Sequence, residues 1–257
     1  MEPGCFCYLV NHTQQGVDDF IKSLRLLKAN YLKRYPTPVI AFHEAQLTCQ
    51  ARIVEESGVQ PVFVPIEFKL PDCVDKSRIC GERLGYMHMC HFFANDIFSH
   101  PALADFEYYC RLDTDSFIMS PVYVNLFDWA RANDCKYGFI DDAITDNPSF
   151  FPGLWATGGE FARANPQYPT YARLYTEIPE GRVYYTNFEL CNMAWFRSEP
   201  WTRYFDAIDK AGGIYYHRWG DHTIRYMGVR LFMPPVNIRR VTFIHYRHTF
   251  EYNRSTI

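Results

Sequence analysis

Apolar residues recur along this chain in two alternating rhythms. Cys5 to Val10 is a short, nearly unbroken apolar run, which predicts a buried strand. Val17, Phe20, Ile21, Leu24, Leu27 and Tyr31 follow at helical spacing, so residues 16–35 predict an amphipathic helix that Pro36 and Pro38 stop. Val39 to Phe42 predicts a second strand, residues 44–57 a helix closed by Gly58, and Val62-Phe63-Val64 a third strand. A polar loop over 66–81 leads into a helical stretch over 82–98, which His100-Pro101 ends. Phe106 to Leu112 is strongly strand-like and runs into Asp113-Thr114-Asp115. Pro121 to Asn133 then reads as helix and Lys136 to Ile140 as strand. Residues 141–160 show no periodicity and read as a long functional loop. Pro169 is expected to open a helix reaching about residue 177, before a Pro-Glu-Gly turn at 179–181. Strands alternating with helices predict an α/β fold, a doubly wound and mostly parallel sheet with helices on both faces. There is no repeat, low-complexity tract or linker, so a single domain over 1–257 is expected.

Composition narrows the class. At 257 residues, with 48% hydrophobic and 21% charged, the chain can bury a large core without staples. A net charge of -3 disfavours a partner held by its phosphate backbone, so no nucleic acid is expected. Aromatic residues reach 18%, which suits an aromatic core or a sugar or nucleobase site. The nine cysteines form no CxxC pair and sit mostly in apolar stretches, as reduced thiols would. Cys73 and Cys80, in a polar loop, are the pair best placed for any disulfide. The opening Met-Glu-Pro-Gly-Cys has no basic or apolar leader, and no run approaches about 18 apolar residues. The expectation is therefore a cytoplasmic chain without signal or span.

Several residues carry possible chemistry. Asp113 and Asp115 stand two apart at the carboxyl end of a strand, where ligands of open α/β sheets bind. On extended backbone they face one side, and their mutual repulsion calls for a cation such as Mn²⁺ or Mg²⁺, which in turn can hold a diphosphate. A solvated turn is the plainer alternative. Glu189 lies in Asn187-Phe188-Glu189, between Tyr184-Tyr185 and an apolar run, so burial is expected to give it a hydrogen-bonding or functional task. Asp221 follows Trp219-Gly220 and precedes a helical stretch, which also suits a helix N-cap. His245 and His248 flank Tyr246-Arg247, and either imidazole suits a metal or a phosphate.

These segments resemble a known family. Gly85-Tyr86-Met87-His88-Met89-Cys90-His91-Phe92, continued to His100-Pro101, resembles the Tyr-Arg-x-Met-Cys-Arg-Phe…His-Pro segment of the fungal α-1,2-mannosyltransferases, glycosyltransferase family fifteen. Tyr108-Tyr109-Cys110-Arg111-Leu112-Asp113-Thr114-Asp115 is similar to its Tyr-Tyr-Trp-Arg-Val-Glu-Pro-Asp. Lys136 to Phe139, Thr186 to Glu189, Gly212 to Asp221 and Ile244 to His248 resemble later family segments in the same order. The resemblance implies a GT-A fold and retaining transfer of mannose from GDP-mannose to a glycan or glycoconjugate acceptor, with Mn²⁺ (or Mg²⁺). Another nucleotide sugar, or a catalytically silent homologue, are the alternatives. Carried over by motif, Asp113, Asp115 and His248 hold the metal, while Glu189, Asp221 and Tyr86 are catalytic positions. Asn11, Tyr86, Arg111, Asp113 and Asn187 contact the nucleotide sugar. Residues 1–115 form the nucleotide-binding half and 116–257 the acceptor and catalytic half. Family members are Golgi enzymes with an N-terminal anchor, so a truncated member would belong to the Golgi lumen. Three departures stand out: Asp-Thr-Asp replaces Glu-Pro-Asp, His91 stands where the family has Arg, and Ala94-Asn95 where it has Ser-Gly.

Overall fold

A computed structural model describes residues 2–249 except Glu82. Its larger sheet has the order β3-β2-β1-β4-β7-β6-β8. The strands are β1 (Glu2–Val10), β2 (Val39–His43), β3 (Val62–Pro65), β4 (Phe106–Leu112), β6 (Tyr137–Phe139), β7 (Phe188–Asn192) and β8 (Ile238–Arg240). Only β7 runs against its neighbours β4 and β6; the other pairings are parallel. A separate ribbon pairs β5 (Ser116–Ile118) with β9 (Tyr246–His248).

The pleat explains how so apolar a sequence fills two cores. In β1, Cys5 and Cys7 enter one cluster while Phe6, Tyr8 and Val10 enter the other. Helix α1 (Gln14–Leu27) buries Val17, Phe20, Ile21, Leu24 and Leu27 against the second cluster. The Thr13 hydroxyl caps it by accepting from the Gly16 N–H. A π-turn over Lys28–Leu32 prolongs it towards Pro36. The opposite cluster collects α3 (Leu84–His91), α5 (Leu154–Ala164), α6 (Glu199–Ala211) and α7 (Asp221–Phe232).

Some expectations need correction. Helix α2 is only Gln50–Ser57, although Gly58 closes it in the left-handed conformation as expected. Helix α4 is Leu126–Ala132, because the Asn125 side chain accepts from the Phe127 and Asp128 N–H groups and so starts the helix there. The stretch read as loop over 141–160 contains the start of α5. No helix forms over 169–177; the Tyr171 N–H bonds the Leu231 carbonyl and the Tyr175 N–H the Ile178 carbonyl, so tertiary and turn bonds replace the helical ladder. Cys73 and Cys80 are free thiols, and the Cys73 Sγ lies against Asp209. Among the described residues, no helix is long and apolar enough to cross a membrane.

Candidate active site

The site grows from the carboxyl end of β4. The chain leaves Leu112 in a tight turn, with the Ser116 N–H bonding the Asp113 carbonyl at 2.9 Å. That turn presents Asp113 and Asp115. Ser116 pairs with His248 across the β5–β9 ribbon, which brings the His248 Nε2 to 3.0 Å from the Asp115 carboxylate. One ligand atom from each of Asp113, Asp115 and His248 lies within 4.8 Å of the other two. Burial raises the Asp113 pKa despite Arg111, while His248 more than offsets the same penalty at Asp115 and holds its pKa low. Two carboxylates and one imidazole form a donor set suited to Mn²⁺, which accepts oxygen and nitrogen ligands. The expected metal residues are therefore brought together. His245 is not among them.

Beside this cluster lies a cavity of about 250 Å³, lined by Tyr86, Met89, Arg111, Asp113, Asp146, Tyr185, Asn187, Asp221 and His222, among others. Arg111 is its central strut. Its Nε donates to Asp113 at 2.8 Å and its Nη1 to Asp221 at 2.6 Å, and its guanidinium lies 3.6 Å from the Phe93 ring centroid. Asp221 also accepts from the Thr186 hydroxyl at 2.9 Å. Burial would raise the Asp221 pKa, but the Arg111 charge and these hydrogen bonds keep it lowered, so the group is a carboxylate at neutral pH. The helix N-cap here is Gly220, not Asp221, which leaves the Asp221 carboxylate to its side-chain partners. Asn187 is braced as its amide oxygen accepts from the Tyr246 hydroxyl at 2.8 Å. Burial pushes the Tyr86 phenol well up, so it stays protonated and able to donate.

Two expected site residues stand elsewhere. Glu189 is 0% exposed and does not line the cavity. Its carboxylate pairs with the Arg225 Nε at 2.9 Å and accepts from the Tyr109 hydroxyl at 2.6 Å and the Tyr137 hydroxyl at 3.3 Å. It sits opposite Arg111 in the β4–β7 register, one step into the sheet from the rim. Asn11 also lies outside this cavity; its side chain accepts from the Thr13 N–H at 3.0 Å and shapes the entry to α1.

Sequence reasoning missed Asp146 and His222, which pair at 2.9 Å and both line the cavity. Their signals were modest: an acid inside the long unperiodic stretch, and a histidine directly after Asp221. Arg225 was missed too. Its place one helical turn after Asp221 gave no sign that it would be buried.

The mostly parallel sheet, with a carboxylate pair at the end of β4 and a late histidine beside it, defines a GT-A fold. A family model described as glycolipid 2-alpha-mannosyltransferase matches residues 68–256, and the chain belongs to that family. The glycolipid 2-alpha-mannosyltransferase 1 of Candida albicans is 32% identical over 181 residues, spanning 68% of this chain and 42% of the relative. The glycolipid 2-alpha-mannosyltransferase of Saccharomyces cerevisiae is 24% identical over 269 residues, spanning 94% of this chain and 60% of the relative. The chain thus spans between 42% and 60% of the length of these relatives. Among solved structures, the mannosyltransferase Ktr4p of S. cerevisiae superposes with a TM-score of 0.87 at 25% identity, over 96% of this chain and 70% of that one. The Mn/GDP form of core-mannan synthase A from Aspergillus fumigatus superposes with a TM-score of 0.86 at 22% identity, over 96% of this chain and 75% of that one.

Proposed function

We propose that this chain is a metal-dependent, retaining mannosyltransferase domain that moves mannose from GDP-mannose to a hydroxyl of a glycan or glycoconjugate. The observation that carries the reading is the convergence of Asp113, Asp115 and His248 beside a cavity walled by Tyr86, Arg111 and Asp221. The family membership supports the sugar. The Mn/GDP form of the Aspergillus synthase and the GDP complex of yeast Ktr4p support the metal and nucleotide.

When bound, the divalent cation neutralises charge on the departing diphosphate. The chain's residues do the rest. Arg111, held by Asp113 and Asp221, keeps both carboxylates oriented and adds positive charge on the donor side. The protonated Tyr86 hydroxyl donates to the donor, and Asn187 presents its braced amide beside it. Asp221 is an ionised group on the cavity wall suited to stabilising an oxocarbenium-like transition state. Glu189 acts through Arg225 as a positioning residue beneath that wall. Residues 1–115 form the nucleotide-binding half and 116–257 the acceptor and catalytic half.

A nucleotide-release assay over a donor panel tests the reading. GDP-mannose with Mn²⁺ is expected to give the highest turnover, and Asp115→Ala is expected to abolish it and weaken nucleotide binding together. Metal-dependent turnover within about tenfold of the parent, roughly 1.4 kcal/mol, in the Asp115→Ala protein would overturn it.

A further inference from the structure

A second cavity, of about 430 Å³, is lined by Arg83, Met87, Ser149, Phe150, His217 and Arg218, together with their neighbours. It abuts the first, since the Arg218 guanidinium lies 4.9 Å from the ring of Tyr86, which lines the first cavity. The described residues that line it include two arginines and no carboxylate.

Arg218 is held there at a cost. Its φ is +66°, a left-handed conformation that is strained for a residue with a Cβ and persists only where the surroundings enforce it. Its guanidinium lies 3.8 Å from the Phe150 ring centroid and also packs towards Tyr86. Stacking of this kind covers the faces of the cation and leaves its in-plane N–H donors open. Its Nε is buried without a hydrogen-bond partner. Among the described residues neither Arg218 nor Arg83 forms a close ion pair, although the Arg218 charge contributes to lowering the Asp146 carboxylate pKa. A buried guanidinium N–H without an acceptor calls for one, and a planar fork of donors matches phosphate or carboxylate oxygens.

Position selects the source of that anion. The metal cluster of Asp113, Asp115 and His248, where the donor diphosphate would be held, does not line this cavity, which joins Arg83 and Met87 of the first half to Ser149, Phe150, His217 and Arg218 of the second. We propose that this cavity binds an anionic group, a phosphate ester or a carboxylate, carried by the acceptor. The proposal rests on the transferase reading above and narrows its acceptor to acidic glycans.

Calorimetric titration without nucleotide tests it, using methyl α-mannoside 6-phosphate and neutral methyl α-mannoside as probes. The phosphorylated probe is expected to bind at least tenfold more tightly. The Arg83→Gln, Arg218→Gln double variant is expected to bring the two probes within about twofold, while Mn²⁺-GDP affinity stays within about threefold. Arg83 is exposed, so Arg83→Gln alone keeps the test open if the double variant does not fold; it is expected to lose about half of the preference on a logarithmic scale. Equal affinity of the parent for the two probes would overturn the proposal. So would a parallel collapse of Mn²⁺-GDP affinity in the variants, which would assign the arginines to the nucleotide. Because the probe titration needs no turnover and no donor, failure of the mannose reading leaves its result intact.

Discussion

At the scale of single residues, the pairing of Glu189 with Arg225 decides what Glu189 can do. Both are 0% exposed, and the described contacts give the carboxylate an arginine and two tyrosine hydroxyls. Removing one charge from a buried pair leaves the other uncompensated, which costs roughly 3–5 kcal/mol. Glu189→Gln is therefore expected to lower thermal stability markedly while Mn²⁺-GDP affinity per folded molecule stays nearly intact. A carboxylate that met the sugar directly would instead lose turnover by about a hundredfold, about 2.7 kcal/mol, at unchanged melting temperature. Denaturation and turnover measured on one preparation separate the two roles. At Asp221, the corresponding change to Asn is expected to cost at least that hundredfold, since this carboxylate lines the cavity. Sequence pattern placed Asp113, Asp115, Asp221 and His248 together through motif order. It could not distinguish a carboxylate at the rim, such as Asp221, from one a step into the sheet, such as Glu189, because motif order carries no depth.

At the scale of elements, His91 ties α3 to α6. Its Nδ1 meets Asp96 at 2.8 Å and its Nε2 meets Asp209 at 3.0 Å. Burial alone would lower its pKa, yet the two carboxylates outweigh this and raise it from 6.5 to about 9. A raised folded pKa stabilises fully below about 6.5, and the contribution is lost as pH climbs through about 9. The parent is thus expected to lose up to roughly 3 kcal/mol between these limits, and His91→Gln to show a flatter stability curve over the same range. Denaturant titrations at pH 6 and pH 9.5 check this; parallel curves would refute it. Elements were legible where one rhythm ran unbroken, as in β1, α1, β2 and β4. They were hidden where packing overrode the rhythm. Helix α5 contains Gly158 and Gly159, which read as loop. Yet an added Cβ at Gly158 would stand 2.6 Å from the Met227 sulfur, so glycine there permits a close approach to α7. Pro169 looked like a helix start, but Tyr175 adopts φ +68° and the segment turns instead.

For the whole molecule, the metal cluster should act as a clasp. Mn²⁺ with GDP at about a hundredfold above its dissociation constant is expected to add roughly 2.7 kcal/mol, a rise of about 5 °C or more in melting temperature. Asp115→Ala should abolish that rise, as differential scanning fluorimetry would record. The β5–β9 ribbon adds a consequence in time. Asp115 and Thr249 are joined by a backbone hydrogen bond across 134 positions of sequence. During synthesis, the seven-stranded sheet can close once β8 has emerged, while the third metal ligand is still to come. Competence to hold the ion therefore arrives last, after the scaffold that carries it. The same late segment carries Tyr246, whose hydroxyl meets Ser116 and Asn187, so the last strand to be made closes both the core and the ion site.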